Sequence, residues 1–250
     1  MKQHKLFFFF LTLTMGLFAQ EEITEEKMRI PLISLQGATH LPGGDLADRF
    51  GMSSMTGASY HIKKANNWYY GIEVTALFGS DVKEDNIIDI ITAGELDVIN
   101  VNGNTSSIRF WERGAQSQVI LGKILPVLSP NENSGLFIQA GLGYMYHKIR
   151  IEDIGNLSPQ LNAEMRKGYD RLSMGFTTSQ FIGYRHFSNN HKVNFFIGLE
   201  FIQAFTEDVR KYDYNAQSPV EGNRLDLLNG LKFGWSFPLY KKTDNRYYYY

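Results

Sequence analysis

A hydrophobic alternation of period two, returning again and again along the chain, constrains this sequence most. Trp68, Tyr70, Ile72, Val74, Ala76 and Phe78 alternate with Tyr69, Gly71, Glu73, Thr75, Leu77 and Gly79. Leu136, Ile138, Ala140, Leu142, Tyr144 and Tyr146 alternate with Phe137, Gln139, Gly141, Gly143, Met145 and His147. Residues 193–201 and 231–237 repeat the pattern, with Phe195, Ile197, Phe233 and Trp235 on the apolar side. Successive strand residues point to opposite faces. Each segment is therefore a strand with one apolar face and one face of glycine, small polar and isolated charged residues.

Weaker alternation covers 29–40, 52–62, 116–127 and 171–187. In 116–127, Lys123 falls in phase with Val119 and Leu121, which requires a bulge or a strand end there. Together these segments make eight strands. Three connections are short (63–67, 129–134, 188–191) and four are long (41–51, 80–115, 151–170, 206–223), in strict alternation. Short turns at one end and long loops at the other are the pattern of outer-membrane barrels. The expectation is an all-β fold, an eight-stranded antiparallel up-and-down transmembrane β-barrel over 29–240, with both termini and the short turns in the periplasm.

The alternative is a soluble periplasmic barrel with the apolar face turned inward. Its polar face would meet water and should be rich in Lys and Glu. Here that face is Gly, Ser, Thr and Gln, which suits the narrow interior of eight strands. Trp68, Tyr69, Tyr70, Tyr144, Tyr146, Tyr184, Trp235 and Tyr240 lie near strand ends, as in the aromatic girdles at membrane interfaces.

Composition narrows the function classes. With 25 basic and 26 acidic residues the chain has no electrostatic footprint for nucleic acid. It has no cysteine, so no disulfide scaffold, thiolate zinc site or cysteine nucleophile is available. A mean hydropathy of −0.26 argues against a bundle of membrane helices but not against a barrel, in which only alternate residues face lipid. Residues 1–20, MKQHKLFFFFLTLTMGLFAQ, place Lys2 and Lys5 before a short apolar core and Ala19 at a cleavage position. They read as a signal peptide over 1–19. A short periplasmic lead (20–28) and a Tyr-rich periplasmic tail (241–250) complete the expected organisation.

Several local sequences carry a resemblance. Residues 42–51 (PGGDLADRFG), 111–114 (WERG), 167–172 (KGYDRL), 224–226 (RLD) and 238–240 (PLY), before a tail ending in four tyrosines, resemble a family of small outer-membrane β-barrel proteins of Bacteroidetes-type bacteria. More broadly the chain is similar to porin-family and OmpA-like barrels, without the peptidoglycan-binding domain of the latter. The resemblance implies an envelope location and names no activity.

Charges on the inward face are Glu73, Arg185, Glu200, Asp226 and Lys232, expected as a lumen charge network of ion pairs, since buried charges must be paired. Antiparallel pairing brings Glu200 near Lys232. His186-Phe187-Ser188-Asn189, followed by Glu200, resembles the lipid A 3-O-deacylases. That resemblance implies Ser188 as nucleophile, His186 as base and Glu200 as its orienter. The same residues read as a tight periplasmic turn, so the expectation is a protein without catalysis, with the deacylase-like hydrolase and a small porin as alternatives. The loop 80–115 is unusually apolar, through Ile87, Ile88, Ile90, Ile91, Leu96, Val98 and Ile99. It reads either as a cap on the barrel mouth or as a surface docking other envelope proteins. The expected partners are outer-membrane lipid and lipopolysaccharide, with no cofactor; the histidines show no metal-ligand spacing.

Overall fold

In the computed structural model, residues 29–84, 87–92, 98–155, 157–188, 193–210, 212–219 and 222–239 are described. The expected signal peptide and lead, the tail, Tyr240, Leu96 and Asn189 lie outside them. Eight long strands form one closed antiparallel barrel. They are β1 (Ile30–Gly44), β2 (Ser53–Lys63), β3 (Trp68–Gly79), β4 (Ile108–Leu125), β5 (Gly135–Asp153), β6 (Ser173–Phe187), β7 (Asn194–Asp208) and β8 (Asn223–Pro238). Each pairs with its neighbours in sequence, and β8 closes on β1.

The register fixes the shape. Starting at His40, successive partners are Gly230, Glu200, Phe181, Gln139, Gly122, Tyr69, Lys63 and then Ile30. One circuit thus returns to β1 ten residues below its start. For eight strands this stagger sets a tilt of about 40° and a backbone radius of about 8 Å, which leaves room for side chains and little else.

Parity then decides every side chain's environment. Glu73, Gln118, Glu200 and Lys232 point inward and are buried. Leu35, Ile72, Val74, Val119, Leu142, Ile197 and Phe233 point outward and are exposed. An apolar, solvent-accessible outer wall is the reverse of a soluble barrel. On β5 the band runs from Leu136 up to Tyr144 and Tyr146. Ten residues at this tilt span about 25 Å, the height of a membrane barrel's apolar belt. Trp68, Tyr70, Tyr184 and Trp235 line its lower part, all at least partly exposed.

The strands run further than the alternation indicates. The long loops are 45–52, 80–107, 154–172 and 209–222, and the turn 126–134 is longer than expected. The largest correction concerns residues 108–115, read as loop but forming the upper part of β4. At this height the outer face carries Arg109, Trp111 and Arg113 while Ile108 and Phe110 face inward to the apolar cap, so the apolar-outward alternation of the belt is lost while pairing continues from Ile108↔Asp153 down to Leu125↔Leu136. Lys123 needs no bulge: it stands at the lower rim with its ammonium over the Trp68 ring at 5.4 Å. Tyr69 does not join a girdle; odd positions of β3 face inward, and it is fully buried.

Candidate functional site

The interior is stacked in layers. At the end of the short turns Arg185 lies among aromatic rings, its guanidinium 4.4 Å from the centre of Tyr69, 4.5 Å from Phe137 and 4.7 Å from Phe196. It donates to the Tyr69 hydroxyl at 2.5 Å. Phe181, Phe187, Ile120 and Ile124 complete this apolar plug. Below it the 126–134 turn folds across the mouth. Lys63 donates to Asn133 at 2.7 Å, and Asn131 and Ser134 donate to the Phe187 carbonyl.

The middle layer is ionic. Lys232 Nζ donates to Glu73 at 2.6 Å and to Glu200 at 2.7 Å, and His40 Nε2 lies 3.2 Å from the other Glu200 oxygen. Gln118 donates to Glu73 at 2.9 Å and accepts from Ser179 at 2.7 Å. Lys232 and both glutamates are 3% exposed, so each charge depends on these partners. The void between them measures about 10 Å³, at the limit for one water.

Higher up, Asp226 accepts from His147 at 2.9 Å, from Thr206 at 2.5 Å and from Arg224 at 3.2 Å. The five expected lumen charges therefore do face inward, but they form three clusters: Arg185 alone, Glu73 with Glu200 and Lys232, and Asp226. His40 and His147 were not anticipated as members. The inward parity of positions 40 and 147 is the sequence signal for their place in the lumen.

An apolar cap closes the top. Leu46 and Phe50 of the first loop, Ile87, Ile88 and Val98 of the second, and Leu161 and Tyr169 of the third cluster with Leu77, Met145 and Ile149 of the wall. Arginines tie the loops together. Arg49 pairs with Asp208 at 3.1 Å; Arg171 pairs with Glu84 at 2.8 Å and with Asp213 of the fourth loop. Arg210 pairs with Asp170 at 2.9 Å, and those hydrogen bonds hold its guanidinium proton more tightly than usual. Of the apolar residues expected in a docking loop, Ile87, Ile88 and Val98 are buried in the cap, Ile91 is partly buried, and Ile90 and Ile99 are exposed. Ile99 belongs to an exposed group with Val101, Ile154 and Leu157, joined by the Val101 N–H to Leu157 carbonyl bond at 3.0 Å.

The hydrolase constellation does not assemble. His186 faces outward, its ring 5.3 Å from Phe195, whereas Glu200 faces inward to Lys232 and His40. His186 pairs with Phe195 and Glu200 with Phe181, so five residues, about 16 Å of strand, also separate them along the wall. Ser188 is at the turn and donates its N–H to the Val193 carbonyl at 3.1 Å. Among the described residues no group of His, Asp and Glu could hold a metal ion. A hollow of about 520 Å³ lies on the outer wall between Leu35, Phe195, Phe233 and Trp235.

A closed eight-stranded barrel with an apolar belt, a filled interior and an ordered loop cap defines a small β-barrel protein of the outer-membrane type. No family model and no curated protein matches the chain. Among solved structures it is similar to Ail, the attachment invasion locus protein of Yersinia pestis, in complex with the heparin analogue sucrose octasulfate (13% identity, 84% of this chain and 99% of that one, TM-score 0.39). It is also similar to Neisserial surface protein A (10% identity, 84% and 97%, TM-score 0.42). No functional conclusion follows from similarity at this level.

Proposed function

We propose that the protein is an integral component of the outer membrane, delivered by its N-terminal signal peptide, with a structural or accessory role performed by its ordered outer face. The observation that carries this reading is the combination of a belt built for lipid with a lumen that is closed by side chains at every level. Such a barrel anchors and presents; it does not transport. The exposed group Ile99, Val101, Ile154 and Leu157 on the second and third loops is the surface we assign to docking of another envelope protein. We further place the chain with the small Bacteroidetes-type barrels. Supporting this, Arg49, Asp170, Arg171, Arg224 and Asp226, all within the resembling segments, make the ion pairs of the cap and upper lumen.

The test is fractionation combined with site-directed photo-crosslinking on intact cells. The protein should sediment with outer membranes and migrate on gels in a heat-modifiable, folded form. A photoreactive residue at Val101 should give a discrete adduct with a protein, and one at buried Ile87 should not. Recovery in the soluble periplasm would overturn the membrane role. Equal labelling at both positions would overturn the docking surface.

A further inference from the structure

The upper outward face of β4 and β5 carries a charge pattern that the barrel itself does not use. Above the Ala115↔Tyr146 pair at the girdle, the outward pairs are Arg113↔Lys148, Trp111↔Arg150 and Arg109↔Glu152. On these two strands four outward cations thus stand beside a single outward acid, and that acid is engaged: Glu152 accepts from Trp111 Nε1 at 2.8 Å. Lys148 approaches Asp170 at 3.7 Å yet stays 40% exposed. Arg113 donates to the Glu112 carbonyl at 2.6 Å and lies 5.4 Å from the Trp111 ring centre. Arg109 and Arg150 are exposed and make no ion pair among the described residues. The next positions along each strand, Glu112, His147 and Ile149, point inward and are fully buried, so parity fixes the whole cationic set on the outer wall.

The pattern is one-sided. At the same height on other strands Met174 and Leu225 face outward uncharged, and β7 presents an acid, Glu207. The height is also specific. Arg113 and Lys148 lie two residues beyond the girdle pair, about 5 Å above it at this tilt, and Arg109 lies about 15 Å above it. That interval, on a wall that faces sideways along the membrane plane, is where head groups of the outer leaflet sit against a barrel.

We infer that this face binds the phosphorylated head group of an outer-leaflet lipid. Arg113 and Lys148 meet the phosphate nearest the acyl chains. Arg150 and Arg109 meet anionic groups further out, and Trp111 and Tyr146 pack against the sugar and the chain tops. Guanidinium groups suit this role because their planar fork donates two parallel hydrogen bonds to one phosphate. A soluble polyanion would be met by cations at the loop tips; these four hug the wall just above the belt, where a membrane lipid reaches them first. The inference rests on the membrane reading above.

The experiment uses the full mature protein folded into phosphatidylcholine nanodiscs. Binding of lipid A carrying both phosphates is measured by native mass spectrometry beside the same lipid with its phosphates removed. The diphosphorylated lipid should be retained at least ten-fold better. The variant R109Q/R113Q/K148Q/R150Q should abolish that preference, while K83Q/K167Q on the loops should preserve it. The wild-type comparison of the two lipids needs no variant, so a folding defect in the quadruple variant leaves the test decisive. Equal retention of both lipids in folded wild-type protein overturns the inference. So does a preference that survives in the quadruple variant, or heparin binding that depends on the four cations while lipid binding does not. Failure of the protein to insert at all is a separate outcome and overturns the membrane reading.

Discussion

Lys232 shows most directly how this interior is specified. Its ammonium lies at hydrogen-bond distance from two buried carboxylates, so deleting the cation strands both. Breaking a buried pair by removing one partner costs about 3–5 kcal/mol, whereas replacing a whole ionic group by neutral residues is often close to neutral. Lys232→Met should therefore destabilise the folded barrel by about that much, and the triple variant E73Q/E200Q/K232M should recover most of the loss. Urea unfolding in lipid vesicles, followed by tryptophan fluorescence, measures both. A single variant as stable as wild type would mean that the carboxylates find other partners. Gly183 and Gly198 illustrate the steric side of the same interior. They are register partners on the inward face, and a Cβ on either would come within 2.8 Å of the Phe181 ring. Gly183→Val should cost about 1–3 kcal/mol by overpacking. In the same unfolding assay, the outward change Ile182→Val should cost less than half of that.

At the scale of elements, legibility followed the solvent on each side of the wall. Within the belt one face meets lipid and the other a crowded polar interior, so alternation of Trp68–Gly79 and of the lower part of β5 was plain. Above the belt, WERGA at 111–115 is polar on both faces. The ladder continues there with no apolar outward alternation to mark it, so the sequence pattern shows only the lower part of β4. The ionic centre was half visible. Glu200 and Lys232 sit on adjacent strands, and pairing across a loop predicts their approach. Glu73 reaches Lys232 across the lumen from β3, a closeness that exists only once the sheet closes with its ten-residue stagger. The His186–Ser188 motif failed for a simpler reason, since parity turns His186 and Glu200 to opposite sides of the wall. Ser188→Ala should leave the acyl-chain profile of lipid A unchanged when the protein is overproduced, as judged by mass spectrometry of extracted lipid. A lost 3-O-deacylated species in the variant would restore the enzyme reading.

For the molecule as a whole, the decisive property is whether anything passes through it. Three seals lie in series along the axis: the loop cap around Leu46, Phe50, Ile87 and Ile88; the Lys232 layer with a void of about 10 Å³; and the Arg185 plug floored by the 126–134 turn. A conducting path needs continuous water, and each layer replaces water by protein partners. Removing one seal leaves the other two. Wild-type protein in planar bilayers should therefore give no steady conductance. Deleting the second loop's apolar contacts through I87D/I88D should expose the upper lumen to proteases and leave conductance at baseline. Combining that change with Arg185→Ala and Phe137→Ala, which hollow the lower plug, should still leave the middle layer intact and admit at most brief, small openings. Frequent openings in the wild type, with ion selectivity that changes in Lys232→Met, would instead identify the ionic layer as the filter of a small pore.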